Sequence, residues 1–235
     1  MGNVLVLWDI DYTLINAGGS STQLYGVVFR KLFGRELSGV TPMAGRTDRA
    51  IIRQTLERAG VNDPQEHVEA FLTELAAQAP GFRALVAERG QALPGAAAAL
   101  AALARLGSAH AVQSVLTGNI RPLAEAKLGA LGLTGHLDLD IGAYGDHHEI
   151  RAELVHLARR NAARAYRQEF TGEATVIIGD TPLDVAAAQA TGARSVGVAT
   201  GASSAADLTA ADADAVLPDL NDTAAVLDAI LGGQP

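Results

Sequence analysis

Two aspartates and a threonine stand directly behind the first apolar run of the chain, in the pattern Asp9-x-Asp11-x-Thr13. The run itself, residues 4–8, has the composition of a short buried strand. Aspartate is uncommon in strands and is rarely buried unless it is paired or binds a metal. Because Asp9 and Asp11 are two residues apart, both carboxylates point to the same side of an extended chain, where they repel unless a cation lies between them. The pattern predicts a divalent-metal site, an acid/base, or both.

A second acidic pattern follows a later apolar run at residues 175–178. The sequence continues with Gly179-Asp180 and reaches Asp184 four residues later. A capping threonine and a proline between the two aspartates predict the start of a helix. The first turn of that helix would bring Asp184 close to Asp180.

A third polar segment, Thr117-Gly118-Asn119, follows the apolar run at residues 112–116. It offers a hydroxyl group and free backbone amides at the start of a predicted helix. Such an arrangement is typical of an anion-binding site.

The elements that must position these residues alternate between strand and helix from residue 93 onward, which predicts an α/β fold with a mostly parallel sheet. The predicted strands are 4–8, 110–116, 137–142, 174–179, 194–199 and a weak one at 214–217. The predicted helices of this part are 95–106, 120–130, 149–164 and 183–190. In open sheets of this kind, ligands bind beyond the carboxyl ends of the strands. Asp9, Thr117 and Asp180 each follow such an end, so we expect them to converge.

The segment from residue 16 to residue 89 shows helical patterns and no clear strand. Its predicted helices are 22–33, 47–59, one beginning at residue 64, and 82–88. We therefore interpret residues 1–15 and 90–235 as an α/β core domain, and residues 16–89 as an inserted, small all-helical cap domain. The hinges of the cap would lie at residues 16–19 and 91–94.

Composition limits the possible partners. The 235-residue chain is 49% hydrophobic, enough for a large core, and its net charge is −8. Nucleic acids and anionic membranes need basic patches, so neither is expected as a partner. The chain has no cysteine, which fits a reducing, cytoplasmic location. No apolar stretch approaches the roughly 20 residues of a membrane span.

In their order along the chain, the three polar segments resemble the haloacid dehalogenase superfamily of hydrolases, in its phosphoglycolate phosphatase and β-phosphoglucomutase-like branch. The resemblance covers nearly the whole chain and implies a Rossmann-like three-layer core with a helical cap after the first motif. It implies Asp9 as nucleophile and Asp11 as acid/base, with Thr13 orienting their loop and counted among the phosphate-binding residues. Thr117, Gly118 and Asn119 would bind the phosphoryl group. Hard oxygen ligands would hold Mg²⁺, and the implied ligands are Asp9, Asp11 through its backbone carbonyl, Asp180 and Asp184.

The third motif of the family is a cation, usually lysine followed by proline, and no Lys-Pro pair lies between Asn119 and Gly179. Two candidates remain. Lys127 lies eight residues beyond Asn119, about 12 Å along a helix, a distance that a lysine side chain covers poorly. Arg151 begins a later predicted helix, and its place in the order matches the motif better. We therefore favour Arg151 as the catalytic cation and keep Lys127 as a phosphate-binding alternative.

Two further residues bear on specificity. Arg46, in the cap segment Gly45-Arg46-Thr47-Asp48, resembles a substrate-loop residue of phosphoglycolate-phosphatase-like members and could bind a carboxylate of the substrate. A surface arginine before a helix is the plainer interpretation. Tyr12 stands where the family usually has glycine, and its ring would either narrow the pocket or contact the cap.

The function predicted from the sequence is a Mg²⁺-dependent phosphatase that acts on a small phosphorylated metabolite through an aspartyl phosphate, as a monomer or homodimer. A dehalogenase or phosphonate hydrolase fits less well, because Asp11 would be replaced in either. A sugar phosphomutase shares all the core residues and stays open as an alternative. A non-catalytic phosphometabolite-binding protein on the same scaffold is the alternative from another class.

Overall fold

A computed structural model of the chain describes residues 3–232, and its centre is a five-stranded parallel sheet. Across the sheet the strands are β4 (Ala111–Val115), β1 (Val4–Trp8), β5 (Thr175–Gly179), β6 (Arg194–Val198) and β7 (Ala215–Leu217). Three of them, β1, β4 and β5, are buried at every residue. Strands covered on both faces have continuous apolar runs, which is why the sequence pattern predicted them. The predicted parallel α/β sheet is confirmed.

Helices cover both faces of this sheet. Those outside the inserted segment are α5 (Ala96–Arg105), α6 (Arg121–Ala130), α7 (Arg151–Tyr166), α8 (Pro182–Ala190), α9 (Ala205–Ala210) and α10 (Thr223–Leu231). Side chains of β1 alternate between two hydrophobic clusters: Val4 and Val6 pack with α5, α6 and α10, whereas Leu5 and Leu7 pack with α7 and α8. The result is the expected Rossmann-like three-layer core.

The strand predicted at residues 137–142 does not form. Asp138 stays hydrogen-bonded to β4, because its amide donates to the carbonyl of Gln113 at 2.9 Å and its carbonyl accepts from the Ser114 hydroxyl at 2.6 Å. Its carboxylate, however, accepts a hydrogen bond from the amide of Asp140 at 3.2 Å, a local contact that favours a turn over a continued strand. Among residues 3–232, a single bridge, between Leu116 and Ala143, extends the sheet beside β4.

The inserted segment is helical, as predicted. It contains α1 (Ser20–Phe33), α2 (Asp48–Arg58), α3 (Pro64–Ala77) and α4 (Ala79–Arg89). The two predicted hinges pair with each other as a short antiparallel ribbon, β2 (Ile15–Asn16) with β3 (Gln91–Ala92). The segment has its own hydrophobic cluster, which also includes Leu123 and Ala126 of α6 and Ile120 just before that helix. The domain division therefore stays an interpretation, with α6 as the core element against which the cap packs.

Within residues 3–232, no helix combines the length and the apolar character that a membrane crossing requires.

Candidate active site

The first residues of the site follow the carboxyl ends of three adjacent strands. Asp9 follows β1, Thr117 follows β4 after one residue, and Asp180 follows β5. Because β1 lies between β4 and β5, Asp9 is central among the three. All three line one cavity of about 360 Å³, the size expected of a small-ligand site. The predicted convergence is therefore confirmed.

A cluster of three buried carboxylates forms the floor of the site. One oxygen each of Asp9, Asp180 and Asp184 lies within 4.8 Å of the others. Burial, with a smaller contribution from neighbouring Asp184, raises the pKa of Asp9 to about 7, although Arg151 opposes the rise. Burial, followed by the charges of Asp9 and Asp184, raises the pKa of Asp180 to about 8. The cluster is thus destabilised in its charged form.

The chemistry of this cluster fits Mg²⁺. Three carboxylates offer hard oxygen ligands, and a divalent cation would favour the charged forms that burial and mutual repulsion disfavour. Asp9, Asp180 and Asp184 are the residues that would hold the ion. The carboxylate of Asp11 lies outside this cluster, so its predicted contribution through the backbone carbonyl stays a prediction.

Arg151, at the start of α7, is the cation of this cluster. Its Nη2 atom lies 2.9 Å from Asp9 Oδ1 and 2.6 Å from Asp184 Oδ1, and it donates a hydrogen bond to the carbonyl of Leu116 at 3.0 Å. Burial alone would lower the pKa of Arg151, but Asp184 and Asp9 outweigh it and hold the pKa above its usual range. Arg151 therefore contacts the predicted nucleophile directly, and its role as the third-motif cation stays a prediction.

Lys127 reaches the site as well, and the expectation that it lies too far away is wrong. Its Nζ atom donates to Asn119 Oδ1 at 2.6 Å and to the two carboxylate oxygens of Asp11 at 2.8 and 2.6 Å. Helical side chains tilt toward the helix N-terminus, so the lysine stem shortens the distance along α6 instead of adding to it. The side chain of Lys127 is 1% exposed, whereas that of Asp11 is 33% exposed.

The loop after β4 is compact. Thr117 Oγ1 accepts hydrogen bonds from the backbone and side-chain amides of Asn119, at 3.2 and 2.8 Å. Asn119 Nδ2 also donates to Asp11 at 2.7 Å, which ties the loop to the acid/base candidate. Gly118 packs so closely against the carbonyl of Arg46 that a Cβ would overlap it. Thr117, Gly118 and Asn119 all line the cavity, as the phosphate-binding prediction requires.

Two residues that were predicted to contact the substrate are in less favourable positions to do so. Thr13 is fully buried and is not among the residues that line the cavity, so its position fits support of the loop better than phosphate contact. Arg46 lines the cavity, but its Nη1 atom donates to Gln54 at 2.6 Å and to the carbonyl of Pro42 at 3.3 Å. Its predicted contact with a substrate carboxylate stays a prediction.

Asp48 and Tyr25 are polar cap residues that the sequence analysis missed. Asp48 accepts hydrogen bonds from the Tyr25 hydroxyl at 2.6 Å and from the amide of Ile120 at 2.8 Å, and its own amide donates to the carbonyl of Gly118 at 2.6 Å. Burial raises the pKa of Asp48 to about 6, against these hydrogen bonds. An acidic residue in the first turn of a helix usually complements the helix dipole, so nothing local marked Asp48 as a cap-to-core contact.

Comparison with solved structures supports the fold. The chain resembles a predicted phosphatase from Clostridium acetobutylicum with a TM-score of 0.67 at 18% identity, covering 97% of this chain and 100% of the other. A predicted phosphoglycolate phosphatase from Haemophilus somnus gives 0.63 at 14% identity, with 94% and 96% covered. A protein provisionally named β-phosphoglucomutase, from Bacteroides vulgatus, gives 0.65 at 16% identity, with 99% and 90% covered. At these identities the likeness establishes the fold alone.

Sequence comparison establishes the family. Among curated proteins, none matches this sequence significantly. The model of the haloacid dehalogenase-like hydrolases, however, matches residues 6–189, which is well over half of the chain and contains every motif described above. This chain therefore belongs to the haloacid dehalogenase-like hydrolase family.

Proposed function

We propose that this hydrolase is a Mg²⁺-dependent phosphatase of small phosphorylated metabolites, and that it works through an aspartyl phosphate. The observation that carries the proposal is the position of Asp9. Its buried carboxylate belongs to a three-carboxylate cluster and lines the same cavity as the anion-binding loop at Thr117. A carboxylate nucleophile, a metal-binding cluster and a phosphate-binding loop in one cavity are the parts that phosphoryl transfer needs.

In the first step, a carboxylate oxygen of Asp9 attacks phosphorus and the bond between phosphorus and the ester oxygen breaks. The leaving alcohol takes a proton from Asp11, which lines the cavity and keeps a third of its side-chain surface exposed. Thr117, together with the amides of Gly118 and Asn119, would hold the phosphoryl oxygens. A Mg²⁺ ion bound by Asp9, Asp180 and Asp184 would neutralise charge on those oxygens.

In the second step, Asp11 takes a proton from water as the water attacks the aspartyl phosphate. The bond between phosphorus and Asp9 breaks, inorganic phosphate leaves, and the carboxylate is restored. Arg151 orients Asp9 through its 2.9 Å contact and offsets part of the charge of the cluster. Lys127 and Asn119 hold the carboxylate of Asp11 at the cavity wall.

The experiment is a measurement of phosphate release from p-nitrophenyl phosphate and small phosphate esters, with Mg²⁺ and with EDTA. The variant Asp9→Asn keeps the size of the side chain and removes the nucleophile, so turnover should fall by about 10³-fold or more. Asp228→Asn is the matched control, because Asp228 lies exposed on α10 and should leave turnover unchanged. Release that survives Asp9→Asn, or that ignores EDTA, would contradict the proposal.

The alternatives give different results in the same assay. A sugar phosphomutase would convert a sugar phosphate into its isomer with little free phosphate, which product analysis detects. A non-catalytic binding protein would bind phosphate esters without any turnover. The predicted cytoplasmic location and the predicted monomeric or homodimeric state stay predictions, to be tested by fractionation and by light scattering.

A further inference from the structure

The cavity has two chemically different parts. The core supplies the phosphate end described above. The rest of the lining comes from the loop around Tyr12 and from cap residues between 17 and 51. In a phosphate ester whose phosphorus meets Asp9, the alcohol portion must lie against this second part.

The second part is mainly apolar, because Val40, Pro42, Met43 and Ile51 all line it. Its polar members are small hydroxyl residues and the charged side chains of Arg46 and Asp48, and among the described residues it carries no side-chain amide or histidine. A sugar has several hydroxyl groups, and each one that is buried without a hydrogen-bond partner lowers affinity. This wall offers few such partners.

Two charged side chains also lie in this part. Both oxygens of the Asp48 carboxylate already accept hydrogen bonds, from Tyr25 and from the amide of Ile120. Arg46 donates through Nη1 to Gln54 at 2.6 Å and to the carbonyl of Pro42 at 3.3 Å. Protein contacts therefore occupy the Asp48 carboxylate and hold part of the Arg46 guanidinium.

Tyr12 gives the independent observation. Its φ of 59° lies in the left-handed region, where side chains other than those of glycine and asparagine are disfavoured, yet its side chain is 43% exposed and lines the cavity. Backbone strain of this kind collects at functional sites. Because the ring is not buried in the core, core packing does not account for a tyrosine here. Contact between this ring and a substrate in the cavity would account for a tyrosine at this position.

We infer, on the basis of the proposed phosphatase function, that the substrate is a phosphate monoester of a compact and mainly apolar alcohol. The alcohol portion would pack against the Tyr12 ring and the cap residues Val40 and Met43. Tyr12 is then a specificity-determining residue. Sugar phosphates and 2-phosphoglycolate, whose alcohol portions are polar, are disfavoured substrates.

The test is a homologous series of methyl, ethyl, propyl and butyl phosphate, whose leaving alcohols have nearly equal acidity. The value of kcat/KM should rise about fourfold with each methylene, the factor that corresponds to about 0.8 kcal/mol per buried methylene. Glycerol 3-phosphate, with the same carbon count as propyl phosphate, should be a poorer substrate than propyl phosphate. Likewise, 2-phosphoglycolate should be a poorer substrate than ethyl phosphate, which has the same carbon count.

Variants connect the preference to the ring. Asparagine tolerates the left-handed backbone, so Tyr12→Asn should lower kcat/KM for butyl phosphate about tenfold more than for methyl phosphate, mainly through KM. Tyr12→Phe keeps the ring and should keep the preference. Val40→Ser is a second variant that leaves the nucleophile loop intact, and it should weaken the same preference.

The outcomes separate the two proposals. If no ester, including p-nitrophenyl phosphate, releases phosphate with Mg²⁺, the phosphatase proposal fails. If esters are hydrolysed but the alkyl series is flat, or glycerol 3-phosphate exceeds propyl phosphate, the inference about the alcohol is wrong. A preference for 2-phosphoglycolate that disappears in Arg46→Gln would also overturn it, and would establish the contact predicted for Arg46.

Discussion

Arg151 and Lys127 are both buried cations at the edge of one cavity, but they face different surroundings. Arg151 lies in a cluster of three carboxylates, each of which is buried. Lys127 faces one carboxylate, that of Asp11, which is 33% exposed, together with the neutral amide of Asn119. One cation against three carboxylates leaves an excess negative charge, whereas one against one does not.

This difference shows where a divalent ion belongs. Burying unbalanced charge is costly, and the cost is reduced only by protons or by a further cation. The Arg151 cluster has that need and the Lys127 pair does not. Arg151 thus offsets part of the negative charge at the metal site and the nucleophile, while Lys127 positions the acid/base. The predictions that follow test this division between the two cations.

The largest effect is expected for Arg151→Met. The variant leaves the buried carboxylates of Asp9 and Asp184 without a cation, so at pH 8 in EDTA the free energy of unfolding should fall by about 3–5 kcal/mol. With saturating Mg²⁺, kcat should fall by about 10²–10³-fold. Urea unfolding and steady-state kinetics measure these two quantities. Arg151→Lys, which keeps the charge, should lose less of both, and equal losses in the two variants would contradict the role of the charge.

The pH dependence of stability should come from the Arg151 cluster. In the folded state the pKa of Asp9 rises from 3.8 to about 7, and that of Asp180 rises to about 8. At pH values between the unfolded and the folded pKa of each group, the folded protein binds more protons than the unfolded chain. Its free energy of unfolding therefore decreases as pH rises through this range. At about 1.4 kcal/mol per pKa unit, the two shifts taken as independent amount to a loss of about 6 kcal/mol in the free energy of unfolding of the metal-free protein from pH 5 to pH 8.

Urea unfolding at pH 5 and pH 8 checks this dependence, with Asp9→Asn as the control. The variant lacks one titrating group of the cluster, so its loss should be smaller. Excess Mg²⁺ should also reduce the loss, because the ion favours the charged carboxylates. A wild-type protein whose stability in EDTA is unchanged or increases over this range would show that the carboxylates are not held as described.

A smaller effect is expected for Lys127→Met. Asp11 retains contact with solvent and with Asn119, so the free energy of unfolding should fall by only about 1.5–3 kcal/mol. Affinity for Mg²⁺, measured by calorimetry, should stay nearly unchanged. A double-mutant cycle with Asp11→Asn should show that the loss is shared between the two residues. A loss as large as that of Arg151→Met would erase the distinction between the two cations.

The smallest effect is expected for Tyr25→Phe, on the cap side of Lys127. The change removes one hydrogen bond to Asp48 and leaves the one from the amide of Ile120, so unfolding should become easier by about 1 kcal/mol. Thermal unfolding measures the change. Val28→Ala, a buried apolar truncation on the same helix, is the comparison and should cost more. No loss in Tyr25→Phe would mean that the hydrogen bond from Tyr25 contributes nothing to holding Asp48 in place.

Sequence patterns predicted the parallel sheet and the cavity at its carboxyl edge, since both follow from local signals. The runs at residues 4–8 and 175–178 are apolar because both faces of those strands are covered. The same signal failed at residues 137–142, where the carboxylate of Asp138 accepts a hydrogen bond from the amide of Asp140 and favours a turn. It also gave no sign of α10 (Thr223–Leu231), a short helix near the end of the described chain.

By itself the sequence determined which residues stand at the strand ends, because strand periodicity and the spacing of Asp9 and Asp180 are properties of the chain. Only the tertiary structure decided which carboxylate each cation contacts. Arg151 contacts Asp9 across 142 residues and Lys127 contacts Asp11 across 116. Such pairs depend on how α6, α7 and the cap pack against the sheet. No local pattern encodes that packing, because each contact is fixed by many distant side chains at once.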